Sequence, residues 1–167
     1  MVGERWLRSD LRGHGPELLL VCSSGGHLQQ LYALRAAWEG FSRVWVTFDR
    51  TDSRSVLADE TVVFGHGPTN RSIRALVLNL GLATRVLLRS RPRAIVTTGA
   101  GVAVPFVWVG RLLGIPVVYV ESATRIESPS LSLRLARPFV SQLYVQWPEL
   151  QRRMPEARFR GSIFDAP

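Results

Sequence analysis

Residues 94–122 read AIVTTGAGVAVPFVWVGRLLGIPVVYVES. A short apolar run leads into a turn of threonine, glycine and alanine, then a longer apolar stretch, a glycine and a second apolar run. That order is the signature of a strand, a tight loop, a helix and a parallel strand. The spacing predicts strands over 94–98 and 117–120 and a helix over 102–113. Pro105 is tolerated in a first helical turn, where its missing N–H has no partner to lose. Gly114 ends the helix. The uncharged run 94–110 has the apolarity of a membrane span, but the glycine-rich break and Pro105 suit strand, loop and helix better.

The same alternation extends outward in both directions. Strands are expected over 17–22, 44–48, 61–64 and 142–146, and helices over 27–38, 73–88, 130–136 and 148–153. Gly40 closes the first helix, Gly65, Gly67 and Pro68 form a turn, and a short segment at 158–160 ends the pattern. The reading is an α/β fold: a Rossmann-like, three-layer domain with a mostly parallel sheet. Residues 1–16 are expected to be a flexible lead and residues 17–167 one domain.

Composition agrees. A chain of 167 residues, 46% hydrophobic and 20% charged, has enough apolar surface for one core and is not a disordered chain. The single cysteine, Cys22, excludes a disulfide framework and suits a reducing compartment. Residues 1–17 lack the apolar core of a signal peptide, so export is not expected.

Charge narrows the function classes. All 21 basic residues are arginine, against 13 acidic ones, for a net charge of +8. With no lysine there is no Schiff base, no lysine base and no P-loop lysine. No acidic residue falls between Glu60 and Glu121, where Arg71, Arg74, Arg85, Arg89, Arg91, Arg93 and Arg111 do. Such a basic stretch suits phosphates, anionic lipid or nucleic acid, or is a solvated surface rich in arginine.

Three strand ends carry candidate chemistry, because ligands gather at the carboxyl ends of parallel strands. The first is Ser23-Ser24-Gly25-Gly26-His27. Ser24, Gly25 and Gly26 let backbone N–H groups approach an anion at a helix start, or simply make a tight turn. His27, in the first turn of that helix, feels the positive dipole end and is kept neutral, ready to accept a proton from a sugar hydroxyl; alternatively it caps the helix. The second is Thr97 to Gly101, where Thr98, Gly99 and Gly101 offer the same small-residue turn to a phosphate or sugar. At the third, Glu121 and Ser122 stand beyond a buried strand, where the carboxylate either meets a sugar hydroxyl or pairs with Arg125.

Projected as a helix, Arg71, Arg74, Arg85 and Arg89 fall within about 60° of one another, with Leu78 and Leu82 on the same stripe. Ile73, Leu76, Leu80 and Leu87 take the opposite, core-facing side. Arginines flanking exposed leucines make an interfacial membrane face, or an ordinary surface helix. No Asp-x-Asp, Gly-x-Ser-x-Gly or His-Glu-x-x-His occurs, and one cysteine builds no zinc site, so neither metal nor cofactor is expected. No aromatic residues interleave with the basic ones as nucleic-acid stacking requires, so no nucleic-acid partner is expected.

The segments CSSGGHLQQL (22–31), TTGAGVAVPFVWVGRLLGIPVVYVES (97–122) and LYVQWPEL (143–150) together resemble the acceptor-side half of MurG-like, GT-B glycosyltransferases. The resemblance is strongest to split members: bacterial PssD/CpsF-type polysaccharide-synthesis subunits and the eukaryotic membrane subunit of the dolichol-linked GlcNAc transferase. It covers residues 18–164. It implies one half of a GT-B enzyme, with a separate donor-binding glycosyltransferase subunit that brings the UDP-sugar. This chain would bind a polyprenyl-diphosphate-linked acceptor and recruit that partner to the cytoplasmic face of the membrane. The eukaryotic relatives have an N-terminal anchor that is not seen here, so peripheral attachment to an anionic membrane surface is expected. The implied reaction is inverting, metal-independent hexosyl transfer, with the diphosphate near the Gly25-Gly26 and Gly99–Gly101 turns, His27 as base and Glu121 beside it. Two rivals remain open: a non-catalytic recruiting or enhancing scaffold, and a stand-alone nucleotide-binding Rossmann enzyme with Asp49 reading a ribose.

Overall fold

The computed structural model describes residues 15–69 and 72–163. Its strands are β1 (Leu18–Val21), β2 (Arg43–Thr47), β3 (Val62–Phe64), β4 (Ala94–Thr97), β5 (Val117–Val120), β6 (Gln142–Val145) and β7 (Arg158–Phe159). They form one sheet in the order β3-β2-β1-β4-β5-β6-β7, and every neighbouring pair is parallel. The helices are α1 (Gly26–Ala33), α2 (Arg35–Trp38), α3 (Thr51–Val56), α4 (Ile73–Ser90), α5 (Ala103–Leu112), α6 (Leu131–Ala136) and α7 (Pro148–Arg153), with a 3₁₀ turn at Arg137–Phe139.

Strand side chains alternate between faces, which sorts the core into two layers. Val44, Leu19, Ile95 and Val117 lie in register across four strands and pack with Val86, Leu87, Phe106 and Val107 of α4 and α5. Leu20, Cys22 and Trp45 face the other way, onto Leu28, Leu31 and Trp38 of α1 and α2. In α5, Gly110 brings the helix onto β4, and a side chain there would run into Ile95. The expected Rossmann-like, three-layer sheet is the observed one.

Three local readings change. The helix expected over 27–38 breaks at Leu34, because Trp38 turns inward. Its indole N–H donates to the Leu31 carbonyl at 2.8 Å, and the ring packs edge-to-face on Trp45 with centroids 5.2 Å apart. Helix α3 has no counterpart in the sequence reading. Its first turn is held by Ser53, whose hydroxyl donates to the Phe48 carbonyl at 2.6 Å. Of the expected lead, residues 1–14 lie outside the described residues, and Pro16 is buried.

The largest change is the rotation of α4. Its buried residues are Ala75, Asn79, Ala83, Val86, Leu87 and Ser90, while Ile73 is 78% exposed and Leu80 37%. The core face is thus turned by roughly 80° from the side its leucines marked. Close approach of α4 to α5 selects small side chains, and the bulky ones are displaced to the rim. Asn79 is buried for a specific reason. Its amide accepts from the His66 N–H and donates to the His66 carbonyl, both at 2.8 Å, fixing the loop that precedes the helix.

Candidate functional site

In the 3-2-1-4-5 strand order the connections diverge between β1 and β4, opening a crevice above the carboxyl ends of those strands. The loops that follow them are the two small-residue turns. His27 bridges them. Its Nδ1 lies 2.8 Å from the Thr98 carbonyl, and the Thr98 hydroxyl donates to the His27 carbonyl at 2.8 Å. A carbonyl only accepts, so Nδ1 carries the proton and Nε2 is left as the basic lone pair. Burial pulls the imidazole below its ordinary value, and the Arg125 charge acts in the same direction; the hydrogen bond to Thr98 and the Glu121 charge oppose it. The ring is therefore neutral near pH 7, with its tautomer fixed.

Glu121 has protein partners on both carboxylate oxygens. It is fully buried, Oε1 accepts from the Ser122 N–H at 2.8 Å, and Oε2 accepts from the Ser130 N–H and hydroxyl, both at 2.9 Å. Arg125 is not paired with it; the carboxylate holds the 121–130 loop together. Two glutamines brace that loop from beneath. Gln30 accepts from the Ala123 N–H at 2.9 Å and from the Gln146 amide at 3.1 Å, and Gln146 also donates to the Glu121 carbonyl at 2.9 Å. The Trp147 indole donates to the Ala123 carbonyl at 2.6 Å.

The Gly25 turn is also occupied from within. The Gly25 N–H donates to Asp52 Oδ2 at 2.6 Å, placing a carboxylate where an anion was expected. In the second turn, the Gly99 N–H is held by the Thr97 hydroxyl at 2.9 Å, and a side chain on Gly99, at φ 97°, would meet the Tyr119 hydroxyl.

Between these loops and α4 lies a cleft of about 470 Å³. Its polar lining comes from His27, Ser122, Thr124, Arg125, Ser130 and Ser132, and its apolar lining from Ile73, Leu76, Val104, Leu131 and Leu135. On the outward side of α4, the helix that supplies Ile73 and Leu76 to the cleft, Val77 is 60% and Leu88 48% exposed, and Arg74, Arg85 and Arg89 are exposed as well.

Solved structures share this architecture. Acinetobacter baumannii MurG superposes with a TM-score of 0.70 at 17% identity, over 88% of this chain and 45% of that one. A UDP-N-acetylglucosamine 2-epimerase from Rickettsia bellii gives 0.71 at 10% identity, over 90% and 46%. The chain thus spans slightly less than half of each. In sequence, the UDP-N-acetylglucosamine transferase subunit ALG14 of Mus musculus is 36% identical over 178 residues, covering 87% of this chain and 82% of the mouse protein. The Eremothecium gossypii subunit of the same name is 30% identical, over 90% and 82%. The family described as oligosaccharide biosynthesis protein Alg14 like matches residues 65–163. The chain belongs to that family.

In this Alg14-like chain the structure gathers some of the expected site residues and separates others. His27, Gly101 and Ser122 line the cleft together. Thr98 lies behind His27 and holds it, Gly99 is buried, and Gly25 and Gly26 are exposed at the turn beside Asp52. Ser24 is half-buried in that turn. On α4, Arg74, Leu78, Arg85 and Arg89 are exposed as expected, Leu82 packs against the core, and Arg71 lies outside the described residues. Asp49, the ribose reader of one rival, pairs instead with Arg54 at 2.5 Å.

Several residues of the Alg14-like site escaped the sequence reading. Thr69, Ser72, Ser130 and Ser132 line the cleft, and Gln30 and Gln146 brace it. One signal was available: between Ser122 and Ser132 the chain has a hydroxyl at nearly every second residue, directly after a buried strand. Among the described residues no helix is long and apolar enough to cross a membrane.

Proposed function

We propose that this chain is the acceptor-binding subunit of a two-component, inverting glycosyltransferase. Its partner subunit would bring UDP-N-acetylglucosamine, the donor in the names of the relatives, and this chain would hold the lipid-linked acceptor and recruit the partner to the membrane. The observation that carries the reading is the cleft itself. Its lining combines hydroxyl side chains and a neutral histidine with apolar side chains, among them the exposed Ile73 and Leu131, the two kinds of surface that a prenyl chain and its polar head require.

In the proposed step the acceptor hydroxyl attacks the anomeric carbon as its proton passes to His27 Nε2. The bond from that carbon to the UDP oxygen breaks, and the partner stabilises the departing diphosphate. Holding both substrates across the crevice supplies orientation worth roughly 7–11 kcal/mol of the barrier.

The test is reconstitution. Radiolabelled UDP-N-acetylglucosamine and a membrane fraction bearing lipid-linked acceptor are combined with each subunit alone and with both. Transfer is expected only with both chains; full transfer by the partner alone would remove the acceptor role.

Membrane attachment is tested separately. The outward face of α4 combines apolar side chains with arginines, and each arginine near an anionic surface contributes about 1 kcal/mol. Reversing Arg74 and Arg85 to glutamate is expected to cut binding to phosphatidylserine vesicles by at least tenfold in a sedimentation assay. Equal sedimentation of wild type and variant would move the membrane contact elsewhere.

A further inference from the structure

We infer that Arg125, rather than the Gly25-Gly26 turn, is the seat of the acceptor's diphosphate. The inference rests on the acceptor-binding reading and adds which residue recognises the charged linker. Three observations converge on it.

The first is that the glycine turn already has its anion. The Gly25 N–H donates to the Asp52 carboxylate, so a diphosphate there would meet a fixed negative charge and a donor already in use.

The second is the state of Arg125. Of seventeen arginines among the described residues, seven pair with carboxylates; Arg125 is one of the ten that do not, and of those ten it is the one that lines the cleft. Its side chain lines the cleft beside His27. The backbone that carries it is fixed: the Arg125 N–H donates to the Ser122 carbonyl at 2.9 Å, and Ala123 is held on both sides by Gln30 and Trp147. An unpaired guanidinium on a braced turn is prepared for bidentate phosphate binding, which a point charge reproduces only in part.

The third is what surrounds it. Thr124 and Ser132 add hydroxyl groups to the same cleft, and Ile73 and Leu131 add apolar side chains to it. A diphosphate at Arg125 would thus share the cleft with a basic histidine for its sugar and with apolar side chains for its hydrocarbon chain. A lipid-linked diphosphate uses both kinds of lining; the diphosphate of a nucleotide sugar uses only the polar kind.

Titration calorimetry of the full chain with its donor subunit tests this, with geranylgeranyl diphosphate, geranylgeraniol and UDP-N-acetylglucosamine as probes. Arg125→Gln is expected to weaken geranylgeranyl diphosphate binding by at least tenfold and Arg125→Lys by less. Geranylgeraniol binding should stay unchanged in both, which also shows that the cleft is intact. Asp52→Asn should leave the diphosphate affinity as it is. Equal diphosphate affinity in wild type and Arg125→Gln overturns the inference, as does a tenfold gain in Asp52→Asn, which would return the diphosphate to the glycine turn. Loss of UDP-N-acetylglucosamine binding alone in Arg125→Gln would assign the residue to the donor and overturn the lipid assignment. A wild-type complex that binds neither prenyl probe overturns the acceptor reading itself, an outcome distinct from the others.

Discussion

Replacing His27 by alanine is expected to lower turnover of the reconstituted pair by about 10²–10⁴-fold, the usual contribution of a positioned general base. The imidazole is held at both ends of its residue, by the Thr98 carbonyl on Nδ1 and the Thr98 hydroxyl on its own carbonyl. The substitution removes the only histidine ring that lines the cleft among the described residues. A pH profile separates a base from a spacer. Because burial lowers the His27 pKa, the acid limb of kcat/KM should lie below the ordinary histidine value of about 6.5. It should vanish in the alanine variant. The same shift affects stability: the unfolded chain binds the proton more readily, so stability is lost as the pH falls from about 6.5 toward the lower folded value. An unchanged rate in His27→Ala would leave the chain as a recruiting scaffold.

The second large effect is expected at Glu121, and on stability rather than on chemistry. Glu121→Ala strips acceptors from two backbone N–H groups and one hydroxyl, all buried. At 1–3 kcal/mol for each unsatisfied donor, the loss is about 3 kcal/mol or more. That is a large share of a total near 5–15 kcal/mol, and it corresponds to roughly 6–12 °C in Tm. Glu121→Gln keeps one accepting oxygen but turns an NH2 group toward the Ser130 donors or the Ser122 donor, so it should fall between wild type and alanine. Calorimetric melting of the three proteins checks the order. A wild-type Tm in Glu121→Ala combined with lost activity would restore a substrate contact to this carboxylate.

Strands β1 to β6 were legible because each is built around a short apolar run, and parallel pairing buries both faces of such runs; β7, Arg158–Phe159, has no such run and was read only as a short segment. Helix α4 was misread by the same logic. Hydrophobicity located Ile73, Leu76 and Leu80 correctly as one stripe, but the core there is chosen by size, and Ala75, Ala83 and Ser90 carry no strong apolar signal. Glu121 was placed correctly after its strand, yet its partners are the N–H of Ser122 next to it and the N–H and hydroxyl of Ser130 nine residues along the loop, which no side-chain pattern announces. The Asp52 contact with Gly25 spans 27 positions and depends on a helix, α3, with no periodicity to reveal it. His27 was legible as a candidate because helix start, strand end and chemistry all fall on one residue.

The outermost strands have a consequence of their own. β3 is three residues long and β7 two, so neither margin of the sheet presents an extended ladder of free N–H and C=O groups. Short margins resist edge-to-edge aggregation. They also offer little template for strand addition, so a second chain joining this one has to engage loops and side chains rather than lengthen the sheet, and such an interface can be taken apart by point substitutions without unravelling either fold.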